Sequence, residues 1–193
     1  MNYRFSNSLL YEREQAIKAN QHYTERWGAT NIQRFDTDSP DDLVMQRQDV
    51  DLLLTINGTT YRVSEKFRDK DYNDLYIEVF SKYPQTVGWL QSGSADAIVY
   101  FTPKAVYWIT HKTLKDFCLS KLFPAIAPNW YEEIFINQQT FLSKTIYIDK
   151  VKIPIKIIQA HNFEGVAWHT IGVSISFDVL QTFQVKLKKF ELT

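Results

Sequence analysis

The chain has 193 residues and a formal net charge of zero, with ordinary apolar content. That length carries one domain with a real core, and the composition excludes a disordered chain. Neutral overall charge withholds the direct electrostatic argument for nucleic acid, so any basic surface would have to be gathered on one face. The single cysteine, Cys118, excludes an intrachain disulfide and fits a reducing compartment. Its neighbours Leu114, Phe117 and Leu122 share a helical stripe, so it reads as core filler. No run approaches the roughly 18 apolar residues of a membrane span, and residues 1–13 show no leader pattern, so a cytoplasmic protein with no membrane partner is expected.

In chain order, residues 9–27 read as a helix from the broken apolar stripe Leu10, Ala16, Ile17, Ala19 and Tyr23, closed by Gly28. Residues 31–35 form a short strand. Residues 36–42, with Asp36, Asp38, Ser39, Pro40, Asp41 and Asp42, read as a solvated loop, because turns favour these residue types. Residues 49–56 and 59–67 are two strands joined by Asn57-Gly58, the strongest short hairpin signal. A polar connection leads to a third strand at 75–81, and Gly88-Trp89 opens a turn. Strands at 97–101 and 105–109 precede a helix at 113–123, and Pro124 to Asn129 breaks the chain. Residues 140–148, 151–159 and 173–177 read as further strands, with another at 183–190. This pattern divides the chain into a core at 1–125 and a β-rich extension at 126–193 belonging to the same domain.

Side chains alternate across a strand, so Asp49 and Asp51 share one face of the first hairpin strand, and Ser64, Lys66 and Arg68 one face of the second. The hairpin brings Asp51 and Lys66 to one end of a sheet. Glu65 falls on the opposite face with Val63 and Phe67. Glu78 interrupts the apolar run Ile77-Val79 on the third strand, where burial would be costly without a partner. Carboxylates that hold a divalent ion, with a lysine beside them, can supply the parts of phosphodiester hydrolysis. Few carboxylates and several waters suit Mg²⁺, and a lysine can orient water or offset developing charge. The competing reading is a polar-faced hairpin with a surface Asp–Lys pair, worth little energetically.

The run Asp51, then Ser64-Glu65-Lys66, resembles the PD-(D/E)XK nuclease superfamily over roughly residues 9–110. Its pattern is an acid opening one strand, then an acid and a lysine separated by one residue on the hairpin partner. The wider run from Gln46 to Gly88-Trp89 is similar to uncharacterised bacterial and phage proteins carrying a Ser-Glu-Lys or Asp-Glu-Lys version of the motif. The resemblance implies an α/β fold with a mixed central sheet flanked by helices, a bound Mg²⁺ or Mn²⁺, and DNA as substrate. Asp51 takes the first acidic place and Lys66 the lysine place. Ser64 stands where the second acid belongs, so Glu78 is expected to complete the metal site with Asp51, and Glu65 to support it. Arg62, Arg68 and Lys70 are the expected backbone contacts to nucleic acid. Tyr72 and Trp89 offer faces on which bases could stack. A homodimer is compatible with the sequence. The alternative is a non-catalytic nucleic-acid-binding or protein-interaction module with a degenerate site, which Ser64 favours.

Glu12 and Glu14 read as a solvated helix face. His111, His161 and His169 lack metal-ligand spacing. Asp96 reads as structural, and Lys186, Lys188 and Lys189 as a solvated basic strand end.

Overall fold

The three strands predicted at the start of the chain form a meander because each step has a local cause. In the computed structural model, which describes the backbone of residues 2–164 and 166–192 and the side chains of residues 14–163 and 166–192, α1 (Phe5–Trp27) is followed by β2 (Ala29–Arg34), β3 (Leu52–Ile56) and β4 (Thr59–Phe67). The side chain of Glu12 lies outside the described residues. Asn57 and Gly58 both hold positive φ, 50° and 76°, the backbone of a two-residue turn that matches strand twist. The turn pairs Leu52 with Val63 and Ile56 with Thr59.

β7 (Ala97–Phe101) lies parallel to β4, β8 (Ala105–Thr110) antiparallel to β7, and β12 (Leu187–Glu191) antiparallel to β8. The sheet order is β12-β8-β7-β4-β3-β2, six strands with one parallel pairing. Parallel neighbours need a crossover. Here the chain between β4 and β7 supplies it by leaving for a second sheet. On one face α1 presents Ala19 and Tyr23, spaced i and i+4, to Leu52, Leu54, Val63, Val99 and Val106. Each large aliphatic side chain buried this way contributes about 1.5–3 kcal/mol. On the other face Phe35, Val50 and Ala95 form a smaller cluster with Met45 and Leu53.

Met45 comes from α2 (Pro40–Arg47), whose first turn falls in the loop expected at 36–42. Its start was legible. Ser39 accepts a hydrogen bond from the Asp42 N–H, Pro40 occupies the first turn, and Asp41 and Asp42 sit at the positive end of the helix. The aspartates taken for a solvated turn thus open a helix. Thr37 donates to Asp42 from both its N–H and its hydroxyl, which holds the Asp42 carboxyl below its ordinary range.

The second six-stranded sheet has the order β1-β10-β11-β5-β6. Its spine is the ribbon of β10 (Val151–Glu164) against β11 (Val166–Ser176), longer than the strands expected at 151–159 and 173–177. The free edge of β10 is shared. β9 (Phe141–Ile148) pairs with its first half, and β1 (Asn2–Arg4) runs parallel to residues 161–163. β5 (Asp74–Lys82) pairs with β11, and β6 (Thr86–Val87) with β5. Ile153, Ile155, Ile157, Val173, Ile175, Leu75 and Ile77 fill the buried face. Helices α3 (Trp89–Ser92), α4 (His111–Phe117), α5 (Asn129–Ile136) and α6 (Phe177–Thr182) complete the elements. α5 and α6 fall where no helix was expected. α4 runs on as a wider turn through Leu122, burying Cys118, whose thiol burial pushes up.

The residues cluster into two compact units that interleave along the chain. One holds Tyr72–Gln91, Thr113–Lys186 and the N-terminal residues to Phe5, and the other Ser6–Asp71, Ser92–Lys112 and the residues from Leu187. The chain crosses between them several times, and none of the crossings falls at 125, the boundary expected from the sequence. The result is α/β, with two mixed sheets and helices packed on them. Among the described residues no helix is long and apolar enough to cross a membrane.

Candidate functional site

The site is assembled in the first sheet by the end of α2. Asp49 is not on a strand, as alternation had implied, but in the left-handed region at φ 55°. The Asp49 N–H donates to the Gln46 carbonyl and the Val50 N–H to the Met45 carbonyl, the paired bonds of a helix stop that usually places glycine at this position. Val50 and Met45 meet in the apolar cluster beneath the turn. The turn projects Asp49 over the face of β4 that carries Ser64 and Lys66. Ser64 Oγ donates to Asp49 Oδ2 at 2.7 Å, and Lys66 Nζ donates to Asp49 Oδ1 at 2.8 Å.

Asp51 lies one residue before β3, and its Oδ2 accepts the Glu65 N–H at 2.6 Å. Burial pushes its carboxyl up to about 6, Lys66 pulls it back, and the negative charges of Asp49 and Glu65 add to the rise. Two carboxylates and one ammonium therefore share this corner of the sheet. The like-charge pair is left incompletely compensated.

Glu65 does not join them. Alternation along β4, unbroken by any bulge in its register with β7, turns it to the α1 face. There it accepts the Tyr23 hydroxyl at 2.6 Å and a two-pronged contact from Arg34, at 2.5 Å from Nη1 and 3.2 Å from Nη2. Arg34 is itself anchored by Asn20 Oδ1 and the Ala16 carbonyl. Both Glu65 oxygens are thus engaged in a buried network that ties α1 and β2 to β4. Burial, and then the Glu65 charge, raises the Tyr23 hydroxyl well above its ordinary pKa.

Glu78 lies on β5, a strand of the second sheet. The expectation that Glu78 completes the metal site needs its strand beside the hairpin, but β4 is flanked by β3 and β7, while β5 pairs with β11 and β6 in the second sheet. Leu75, Ile77 and Val79 fill the buried face of β5, so alternation sends Glu78 to the opposite, half-buried face with Asp74 and Tyr76. Its place in an apolar run is ordinary strand alternation. Gly88 sits against it so closely that any Cβ there would strike the Glu78 carbonyl, which explains the glycine of Gly88-Trp89.

Arg62, expected to contact nucleic acid, is bound to Asp96. Its guanidinium meets Oδ1 at 2.9 Å, and its own N–H meets Oδ2 at 2.9 Å. Lys70 is exposed, Arg68 lines a cavity at the end of β4, and Glu14 is exposed on α1. Among the described residues no three His, Cys, Asp or Glu side chains gather as a metal-binding group. The donor chemistry present is two carboxylates, Asp49 and Asp51, with the Ser64 hydroxyl. That fits a hard ion such as Mg²⁺, which binds through one or two carboxylates and keeps its remaining positions for water and phosphate.

Sequence reasoning puts Asp49 on a strand with Asp51, where the structure has a helix stop. It places Tyr23 in the apolar stripe of the first helix and gives Arg34 no role, and their partnership with Glu65 spans 42 and 31 positions and leaves no local pattern. Comparison of the chain with family models, curated proteins and solved structures returns no match.

Proposed function

We propose that this chain is a divergent PD-(D/E)XK-type nuclease that hydrolyses DNA phosphodiester bonds with Mg²⁺ or Mn²⁺. The observation that carries the reading is the meeting of Asp49, Asp51 and Lys66 on one corner of a mixed sheet, with the lysine ammonium hydrogen-bonded to Asp49. The acid missing at Ser64 is replaced in space by Asp49, whose carboxylate rests on the Ser64 hydroxyl.

Asp49 and Asp51 would hold the ion. When bound, a divalent ion stabilises negative charge on the phosphate and lowers the pKa of water. Lys66 keeps a fixed positive charge beside the carboxylates, where it can stabilise charge developing on a phosphoryl oxygen or orient water through its N–H groups. Ser64 fixes the Asp49 carboxylate, and the Glu65 N–H fixes that of Asp51, so both are oriented before substrate arrives. Glu65, Arg34 and Tyr23 act beneath the site by holding β4 in register.

The test is nicking of supercoiled plasmid with Mg²⁺, Mn²⁺ or EDTA. Cutting that EDTA abolishes and Lys66→Ala removes supports the enzyme. DNA binding without cutting in any metal supports the second reading, a binding module that has lost its chemistry. The observation favouring that reading is the serine at position 64, in place of a carboxylate.

A further inference from the structure

One residue beyond Lys66, β4 ends at the mouth of a cavity of about 290 Å³, bounded by α1, the start of the connection after β4 and the turn between β7 and β8. That volume lies just under the ~300–1,000 Å³ range of ligand pockets and suits one small ligand. Its wall is aromatic. Phe67 and Phe101, both half-buried, stack with centroids 5.1 Å apart at 24°. Among the described residues of the lining, Lys18, Arg68 and Asp69 carry charge.

His22 also lines the cavity and stands edge-on to Phe101 at 6.0 Å. Its Nε2 is buried and has no hydrogen-bond partner among the described residues. Burial, and then the nearby Arg26 charge, lowers its pKa, so the ring is neutral at pH 7 and offers Nε2 as one donor or one acceptor. A buried polar atom without a partner is costly, and a ligand that supplies one recovers that cost.

We propose that this cavity binds one nucleotide, with the base against Phe67, a base edge or phosphate oxygen at His22 Nε2, and the phosphate held by Lys18 and Arg68. Stacking on an aromatic face accepts any base, and the two cations suit a phosphate. The source as a nucleotide of the substrate strand rests on the nuclease reading. The chemistry, an aromatic wall beside two cations, is the cavity's own and would serve a free nucleotide equally.

The experiment is calorimetry of the full chain in EDTA with thymidine 5′-monophosphate, thymidine and inorganic phosphate, and anisotropy with a labelled ten-residue oligothymidylate. Thymidine 5′-monophosphate should bind more tightly than either of its parts. Lys18→Ala and Arg68→Ala should each weaken it about tenfold, as loss of a charge-assisted hydrogen bond does. Each should also reduce the log–log salt slope for the oligonucleotide by about 0.7. Phe67→Leu should weaken thymidine as well as its phosphate, and the His22 ring ¹⁵N resonances should shift on titration. Displacement of the mononucleotide by the oligonucleotide assigns the cavity to a strand, and its absence to a free nucleotide. No mononucleotide binding by the wild-type protein, or equal binding in the Lys18→Ala/Arg68→Ala double variant, overturns the proposal. Nucleotide binding without cleavage in Mg²⁺ or Mn²⁺ would remove the nuclease reading and keep the pocket. Cleavage without nucleotide binding would do the reverse.

Discussion

Lys66 Nζ donates at 2.8 Å to Oδ1 of Asp49, a residue held in the left-handed turn that closes α2. A motif lysine thus finds its carboxylate on a helix stop, 17 positions upstream, where glycine would be the less strained choice. Aspartate enters this region more readily than most residues, and here it brings a carboxylate to Ser64 and Lys66.

Asp49→Gly and Asp49→Ala separate backbone from side chain. Both remove the carboxylate, and both should abolish cleavage and weaken divalent-ion binding. Only glycine relieves the left-handed backbone, so Asp49→Gly should be more stable than Asp49→Ala by about 1 kcal/mol. Thermal melting of the two variants side by side reads this. An Asp49→Ala protein as stable as Asp49→Gly would show that the turn stores no strain.

Lys66→Ala should lower cleavage by at least about a hundredfold, the scale of losing a preorganised electrostatic donor. The fold should survive, because the Lys66–Asp49 pair is partly exposed, with side chains 25% and 17% accessible. Plasmid cleavage and melting measured on one preparation decide the matter. A large drop in melting temperature would assign Lys66 to the scaffold.

Asp51 links the site to pH. Its carboxyl is raised in the fold to about 6, so the native state holds this proton more tightly than the unfolded chain. The stability gained from that proton is complete below the unfolded value. It falls as pH rises through about 4 and is gone above about 6. Asp51→Asn should therefore be more stable than wild type at pH 8, by on the order of 1–3 kcal/mol, and nearly equal to it at pH 4. Mg²⁺ or Mn²⁺ should raise the wild-type melting temperature at pH 8, much less at pH 5 where the proton competes, and least in Asp51→Asn. An ion-induced shift of the same size in Asp51→Asn would remove Asp51 from the ligand set.

Glu65→Gln should damage folding before chemistry. It leaves the Arg34 guanidinium partly buried without its counter-charge, a change that costs about 3–5 kcal/mol. Tyr23→Phe removes one hydrogen bond to the same carboxylate and should cost about 1–3 kcal/mol, with cleavage per folded molecule unchanged. Denaturant titration combined with specific activity tests both. A stable Glu65→Gln protein with normal folding and lost metal binding would return Glu65 to the metal site.

The sequence by itself determined what depends on neighbours in the chain. The positive φ of Asn57 and Gly58 sets the β3–β4 hairpin, and alternation puts Ser64 and Lys66 on one face and Glu65 on the other. The α2 start was also written there, in Ser39-Pro40-Asp41-Asp42, although its aspartates read first as a loop. Tertiary structure decided the rest, because strand pairing is a long-range choice that alternation cannot see. Alternation places Glu78 on one face of its strand without saying which sheet that strand joins, and only the pairing of β5 with β11, about a hundred residues on, puts it in the second sheet. The same holds in part for Asp49: its left-handed turn is a local helix stop on the Gln46 and Met45 carbonyls, while the packing of Val50 with Phe35 and Ala95 beneath it is long-range. It holds too for Arg34, which meets Glu65 only because α1 and β2 pack against β4.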